Sequence, residues 1–472
     1  MAHTRRDFLR NSACLLGSAA LMSSMEQFGL INALAQESTD AVTDYKALVC
    51  VFLNGGNDGN NMVIPYDLTP STEYPAYSAA RNAAGLAIPQ ASLLPVTPLG
   101  SGGRKFGLHP GMTELQTLFN QSKLAVLCNV GTLVQPLTKT IYQTTPSARP
   151  YQLFSHSDQV TQQQTSISNN VAQTGWAGRT SDIMSVINGN AALPMVISIA
   201  GTSIFTTGAT TRPLAISDAR TALNQVLLLN GYAFPPSTDV RSRAYDQIRA
   251  LNDARLVNAS NDTTAQALLA SAALSQEQTL ATTFPNTTLG NQLKQVAKVI
   301  KANINQASLG LKRQIFFCSL GGFDHHSGQL SGQQNLLSQV SQAMKAFYDE
   351  TVAQTIADKV TTFTLADFGR TFQPAGSGAN AVGSDHAWGN HQFIMGGAVK
   401  GGDFYGTYPT LALGGPDDTD SGSNPRGRWI PTTSIEQYAA TLATWYGLSG
   451  SDLPTVFPLI GRFATSNLGF LL

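Results

Sequence analysis

The chain reads as an α/β protein with a mainly parallel sheet flanked by helices. Continuous apolar runs recur at 46–53, 124–130, 194–199, 313–320, 359–366 and 392–398, and unbroken runs of this length suit strands covered on both faces. Helical patterns fall between them, clearest over 290–306, 331–357 and 434–446. Strands alternating with helices build a parallel sheet. Loops rich in glycine, acid and imidazole follow several of the runs, where the carboxyl ends of parallel strands gather functional groups.

Ahead of the first strand lies an expected export leader. Thr4-Arg5-Arg6-Asp7-Phe8-Leu9 pairs two arginines with an apolar start, the arrangement of a twin-arginine signal. A moderately apolar stretch from Cys14 to Met22 follows, too short and too interrupted to span a bilayer. Ala33-Leu34-Ala35 offers the small residues a signal peptidase requires, which places the mature start at Gln36. Cys14 has no lipid-attachment setting. Proteins exported by this route fold first, as loading a metal in the cytoplasm requires.

Removing a 35-residue leader leaves 437 of the 472 residues. The motifs come from both ends of that stretch and make sense only if they converge, so one domain over 36–472 is expected. The polar, histidine-free segment 235–288 is read as a helical insertion or outer layer. Formal charge is zero, with 29 basic and 29 acidic residues and no basic run outside the leader, which excludes the electrostatic footprint of a nucleic-acid binder. No later segment approaches the roughly 20 apolar residues of a transmembrane anchor. Cys50, Cys128 and Cys318 each sit in an apolar run and read as small core residues.

The chemistry lies at the strand ends. After the first strand comes Asn54-Gly55-Gly56-Asn57-Asp58-Gly59, where Asp58 has two roles open, turn former or cation ligand. The run ending at Leu320 leads into Gly321-Gly322-Phe323-Asp324-His325-His326, and the run ending at Ala366 into Asp367-Phe368-Gly369-Arg370. A glycine-rich loop then delivers Asp385-His386 and, five residues on, His391. Four of the seven histidines thus stand at strand ends beside Asp324, Asp367 and Asp385. Imidazole with carboxylate suits zinc, manganese or iron, and carboxylates alone suit magnesium or calcium. A divalent metal cluster is therefore expected. His109, in Gly107-Leu108-His109-Pro110, is left without a role.

Phe154-Ser155-His156-Ser157-Asp158 opens a polar segment. Ser155 is either a nucleophile activated at a helix start or an ordinary N-cap. Arg179, in Thr-Gly-Trp-Ala-Gly-Arg, is either a contact for an anionic substrate or a surface residue.

Taken together, Val-Phe-Leu-Asn-Gly-Gly-Asn-Asp-Gly-Asn-Asn, Phe-Ser-His-Ser-Asp-Gln, Gly-Gly-Phe-Asp-His-His-Ser-Gly-Gln, Asp-Phe-Gly-Arg-Thr and Asp-His-Ala-Trp-Gly-Asn-His resemble the DUF1501 family over nearly the whole mature chain. That family is similar to the sulfatase and alkaline phosphatase superfamily. The resemblance implies an alkaline-phosphatase-like three-layer sandwich and an exported metal-dependent hydrolase of phosphate or sulfate esters. By position, Asp58 resembles the first-strand metal ligand, Asp324 and His326 the middle pair, and His391 the late histidine. Ser155 is the candidate nucleophile, with His156 beside it. Alkaline phosphatases carry Asp-His-Gly where this chain has Asp367-Phe368-Gly369, so one imidazole is missing there, and Asp385 with His386 are the candidates to replace it.

The resulting expectation is catalytic residues Ser155 and His156, metal ligands Asp58, Asp324, His326, Asp367, Asp385, His386 and His391, and zinc, magnesium, manganese or calcium bound. The substrate is a small anionic ester or glycan. The alternative is a non-catalytic exported protein that uses the same pocket for a structural metal, a glycan or another exported protein.

Overall fold

The structure, a computed structural model, describes residues 44–472 apart from 190, 228–238, 251–253, 307–308 and 379–380. The expected leader, with its cleavage site and the start at Gln36, lies outside the described residues.

Twelve strands form among the described residues. They are β1 (Lys46–Leu53), β2 (Val63–Pro65), β3 (Leu94–Val96), β4 (Phe106–Leu108), β5 (Leu124–Gly131), β6 (Val196–Ser198), β7 (Leu214–Ala215), β8 (Arg313–Leu320), β9 (Val360–Ala366), β10 (Asn390–Gly396), β11 (Phe404–Gly406) and β12 (Thr433–Ser434). The main sheet runs in the order β11-β5-β10-β9-β1-β8-β6-β7, with β12 paired to β5, while β2, β4 and β3 form a small second sheet. Every pairing in the main sheet is parallel except those of β10 with β5 and β9.

The apolar runs are continuous because the sheet is covered twice. Alternate residues of β1 point to opposite faces: Ala47, Val49, Val51 and Leu53 enter one core with Leu293 and Val296 of helix Thr288–Asn305 and Val340 and Met344 of helix Gln329–Ala353. Leu48, Cys50 and Phe52 enter the other, with Trp176 of helix Trp176–Met184 and Tyr438 and Leu442 of helix Ile435–Tyr446. Helix, sheet and helix thus make three layers, as expected. Cys50, Cys128 and Cys318 are buried and free.

Within the expected insertion, the described residues form helices Val240–Ala250 and Arg255–Ala273. The first buries only Ser242, and the second reaches the core through Ala270 and Ala273. No helix among the described residues is long and apolar enough to cross a membrane.

One consequence of the strand directions places the site. β10 runs against its neighbours, so its start lies at the same edge of the sheet as the ends of β1, β5, β8 and β9. The loops after β1, β8 and β9 and the loop before β10 therefore meet.

Candidate metal centre

Two glycines draw these loops together. Gly55 and Gly56 have φ of +115° and +79°, a region that side chains rarely adopt. A Cβ on Gly55 would lie 2.5 Å from the Asp324 nitrogen, and one on Gly56 would lie 2.6 Å from the Phe368 ring. The β1 loop can press onto the β8 and β9 loops only without side chains at these positions.

At the meeting point, ligand atoms of His156, Asp324 and His386 lie within 4.8 Å of one another. His156 Nε2 is 3.5 Å and His386 Nε2 is 3.6 Å from Asp324 Oδ1. Each imidazole is aimed from behind. His156 Nδ1 meets Asp367 Oδ2 at 2.8 Å, and His386 Nδ1 donates to the Phe154 carbonyl at 2.9 Å. With protons on Nδ1, both Nε2 lone pairs face the shared space, the arrangement that outer carboxylates and carbonyls impose on metal-binding histidines. Burial holds the His386 pKa below its ordinary value and Arg370 adds to the effect, against the Phe154 carbonyl and Asp324, which favours the neutral form that ligates.

The residues fit a divalent cation. His156 Nε2 is buried and has no hydrogen-bond partner among the described residues, an unsatisfied position that normally costs about 1–3 kcal/mol and that a metal would satisfy. Ligands with bonds of about 2.0–2.2 Å stand roughly 3–3.6 Å apart, which matches the two separations from Asp324. Two imidazoles and one carboxylate are also the ligand number of catalytic zinc and non-haem iron sites, which keep a position open.

Backbone strain supports this aim. Phe154 adopts φ +76°, unusual for a bulky residue, and its carbonyl is the one that holds His386. Arg428 lies over the Phe154 ring at 5.2 Å and donates to the His386 carbonyl.

His326 stands beside the three. Its Nε2 is 3.0 Å from Asp324 Oδ1 and 3.3 Å from His386 Nε2, and its Nδ1 faces Asp385 Oδ1 at 3.4 Å. Asp385 also accepts from Arg426 at 2.6 Å. Burial works to raise the Asp385 pKa, but Arg426 and His326 bring it below the ordinary value. Asp324 is similar: burial opposes ionisation, yet Arg370, His326 and His156 hold its carboxyl below the usual range. Asp367 is fully buried between His156 and the Gly55 N–H, which it accepts at 3.0 Å. It orients a histidine and lies outside the group of three.

Two expected ligands also lie outside this group. Asp58 forms a buried pair with Arg81, whose Nη1 and Nη2 lie 2.6 and 3.2 Å from its two oxygens, and it accepts further bonds from Asn60 and Gln329. Its charge is spent inside the fold. His391 lies within β10 rather than ahead of it. A register shift between Asn390 and Gln392 faces Asn129, which has φ +51°, and such bulges redirect side chains. The Asn129 N–H donates to His391 Nδ1 at 3.2 Å, and the ring stacks on Tyr408. Burial pushes the His391 pKa down to about 3.

Ser155 is the N-cap residue of helix His156–Thr165, but its hydroxyl does not cap the helix. It donates to Asp158 Oδ2 at 2.6 Å and lies 3.1 Å from the Ser157 hydroxyl. Arg179 binds the carbonyls of Thr165, Thr174 and Val456, so it ties loops together. His109 braces its own loop, accepting from the Gly111 N–H at 3.0 Å.

Sequence reading missed Arg81, Phe154 and Arg370. Arg370 is 1% exposed, with Nη2 2.6 Å from Asp324 and with Nε and Nη1 unpartnered among the described residues. It stands in the Asp-Phe-Gly-Arg string already singled out, and that adjacency was the available signal.

Among solved structures, the chain is similar to the C-terminal periplasmic domain of EcEptC from Escherichia coli in complex with Zn, at 9% identity and TM-score 0.30, covering 75% of this chain and 73% of that one. It is also similar to the lipoteichoic acid synthase LtaP from Listeria monocytogenes, at 7% identity and TM-score 0.32 over 88% and 75% of the two chains. The PsFucS1 sulfatase from Pseudoalteromonas sp. gives 7% identity and TM-score 0.29 over 76% and 64%. Likenesses of this size carry no argument about chemistry. No curated protein matches the sequence. A family model described as "Protein of unknown function (DUF1501)" matches residues 45–419, and the chain belongs to that family.

Proposed function

We propose that this chain is an exported metal-dependent hydrolase of phosphate or sulfate esters. The observation that carries the reading is the convergence of His156, Asp324 and His386, with a buried, unpartnered His156 Nε2 aimed at the space between them. A divalent cation held by these three residues would supply Lewis-acid chemistry toward the ester.

The chain's own groups would supply the remaining roles. Asp367 and the Phe154 carbonyl hold the two imidazoles in the ligating tautomer. Ser155 is the candidate nucleophile. Its hydroxyl already donates to Asp158, a carboxylate placed to take the proton as the oxygen attacks. His326 is half exposed and backed by Asp385, placed to give a proton to the departing ester oxygen. Arg370 brings a buried positive charge beside Asp324, where negative charge on a transferring group would be stabilised.

A second reading, a metal-holding protein without turnover, draws on Ser155 as well. Its hydroxyl is shared between Asp158 and Ser157 rather than set apart for attack. Turnover of aryl phosphate and aryl sulfate esters, measured before chelation, after chelation and after metal is restored, separates the two. The hydrolase reading expects activity that falls on chelation, returns with metal and is lost in Asp324→Ala. Bound metal with no turnover of either ester class would favour the second reading.

A further inference from the structure

The loop between β11 and β12 is built as a rigid frame. Asp418 is fully buried in it, and its two oxygens accept from the backbone N–H groups of Gly414, Asp420, Gly427 and Arg428 at 2.9, 3.0, 3.0 and 3.1 Å. Charge-assisted bonds of this kind are the strong ones. Lys139, the first residue of helix Lys139–Thr144, fastens the loop from outside. Its ammonium donates to the carbonyls of Gly414, Gly415 and Asp420, three donors for three acceptors. The backbone of Asp420 is therefore held at both its nitrogen and its carbonyl, independently of its side chain.

That side chain has a different partner. Both of its oxygens lie 3.1 Å from Nη1 of Arg428, and Oδ2 also accepts the Arg426 N–H at 2.9 Å. The Arg428 guanidinium in turn donates from Nε to the His386 carbonyl at 3.2 Å and lies over the Phe154 ring. It touches both residues joined by the bond that aims the His386 imidazole, which runs from Nδ1 to the Phe154 carbonyl. Phe154 is the strained member of that pair, at φ +76°, and such strain persists only where the surroundings over-determine it. Without a fixed guanidinium the Phe154 carbonyl is free to turn away, and the imidazole loses the acceptor that sets its tautomer. We infer that Asp420 is a positioning residue of the metal centre, holding His386 on the cation through Arg428. The inference rests on His386 being a ligand.

Zinc titration of the full chain against a chromogenic chelator tests this. Asp420→Ala should weaken zinc by about tenfold, the lower end of what losing an outer partner costs, and Arg428→Met should weaken it at least as much. Added to Arg428→Met or to His386→Ala, Asp420→Ala should change zinc affinity by less than about twofold, because the path through which it acts is already gone. Its effect on metal-free thermal unfolding should be the same in the native and His386→Ala backgrounds, which separates positioning from a general loosening of the loop. Native-like zinc affinity in Asp420→Ala or in Arg428→Met would overturn the inference. So would a loss on adding Asp420→Ala that persists in full in either double variant. A His386→Ala chain that binds zinc like the native one would overturn the metal-centre reading first, and this inference with it.

Discussion

Asp367 and His156 meet at 2.8 Å across 211 residues of sequence, a carboxylate with no exposed surface against the Nδ1 of a half-buried imidazole. The contact links the end of β9 to the start of helix His156–Thr165 and sets which nitrogen of His156 faces Asp324. Removing it tests the metal centre without touching a ligand. Asp367→Asn should lower metal affinity by about 10–100-fold, the usual effect of losing an outer partner of a metal-binding histidine. Competition against a chromogenic chelator measures this. Unchanged affinity would mean that His156 does not ligate.

Asp58 gives the opposite expectation. Its pair with Arg81 is buried on both sides, so Arg81→Ala leaves an uncompensated carboxylate and should destabilise the fold by about 3–5 kcal/mol. Urea unfolding measures the loss. Metal content per folded chain should stay the same in Asp58→Asn, because the carboxylate is engaged by Arg81, Asn60 and Gln329. A loss of metal in that variant would return Asp58 to the ligand set.

Gly55 is predicted to be intolerant of the smallest side chain. Gly55→Ala adds a methyl group against the Asp324 backbone at φ +115°. It should cost about 1–3 kcal/mol and weaken metal binding together with stability, as seen by thermal unfolding with and without added metal.

Stability should pass through a maximum near pH 6.5. Burial lowers the pKa of His391 to about 3 and of His109 to about 4, from an ordinary 6.5. Below pH 6.5 the unfolded chain therefore binds protons that the folded chain refuses, and stability falls as pH falls. Glu436 acts on the other side. Burial pushes its carboxyl up to about 8 from 4.5, against a hydrogen bond from the Leu459 backbone and the charges of Arg179 and Arg462. Between those values the folded chain holds a proton that the unfolded chain has released, so this contribution is lost as pH rises. The lowered histidines, His386 and His325 among them, together outweigh the one acid on the acid side, and their effect fades above about pH 6.5 while that of Glu436 continues to about 8. Urea midpoints from pH 4 to 9 should show the maximum, and Glu436→Gln should remove the decline on the alkaline side. A decline that persists in that variant would assign it to other groups.

The long strands were legible because both of their faces are buried, which makes each a continuous apolar run. β2, β3, β4, β7, β11 and β12 are two or three residues long, too short for any periodicity. The strand-end strings name Asp324 and His386 as ligands, but they also name Asp58 and His391, and nothing local separates the two sets; the Phe-Ser-His-Ser-Asp string offers His156 only as a catalytic neighbour of Ser155. Asp58 is claimed by Arg81, 23 residues away, in a pairing set by packing. His386 and His391 share one short string. Which of them faces the shared space is decided by the irregularity at Asn129 on another strand. Arg370 reaches Asp324 across 46 residues, and the strain at Phe154 appears only once His386 needs its carbonyl.

The account rests on His156, Asp324 and His386 holding one cation. Elemental analysis of protein purified without chelators, beside a His156→Ala/His386→Ala double variant shown by circular dichroism to be folded, measures this most directly. About one divalent metal per chain is predicted for the native sequence, with near-complete loss in the double variant. A metal-free native protein, or a folded double variant that keeps its metal, would contradict it.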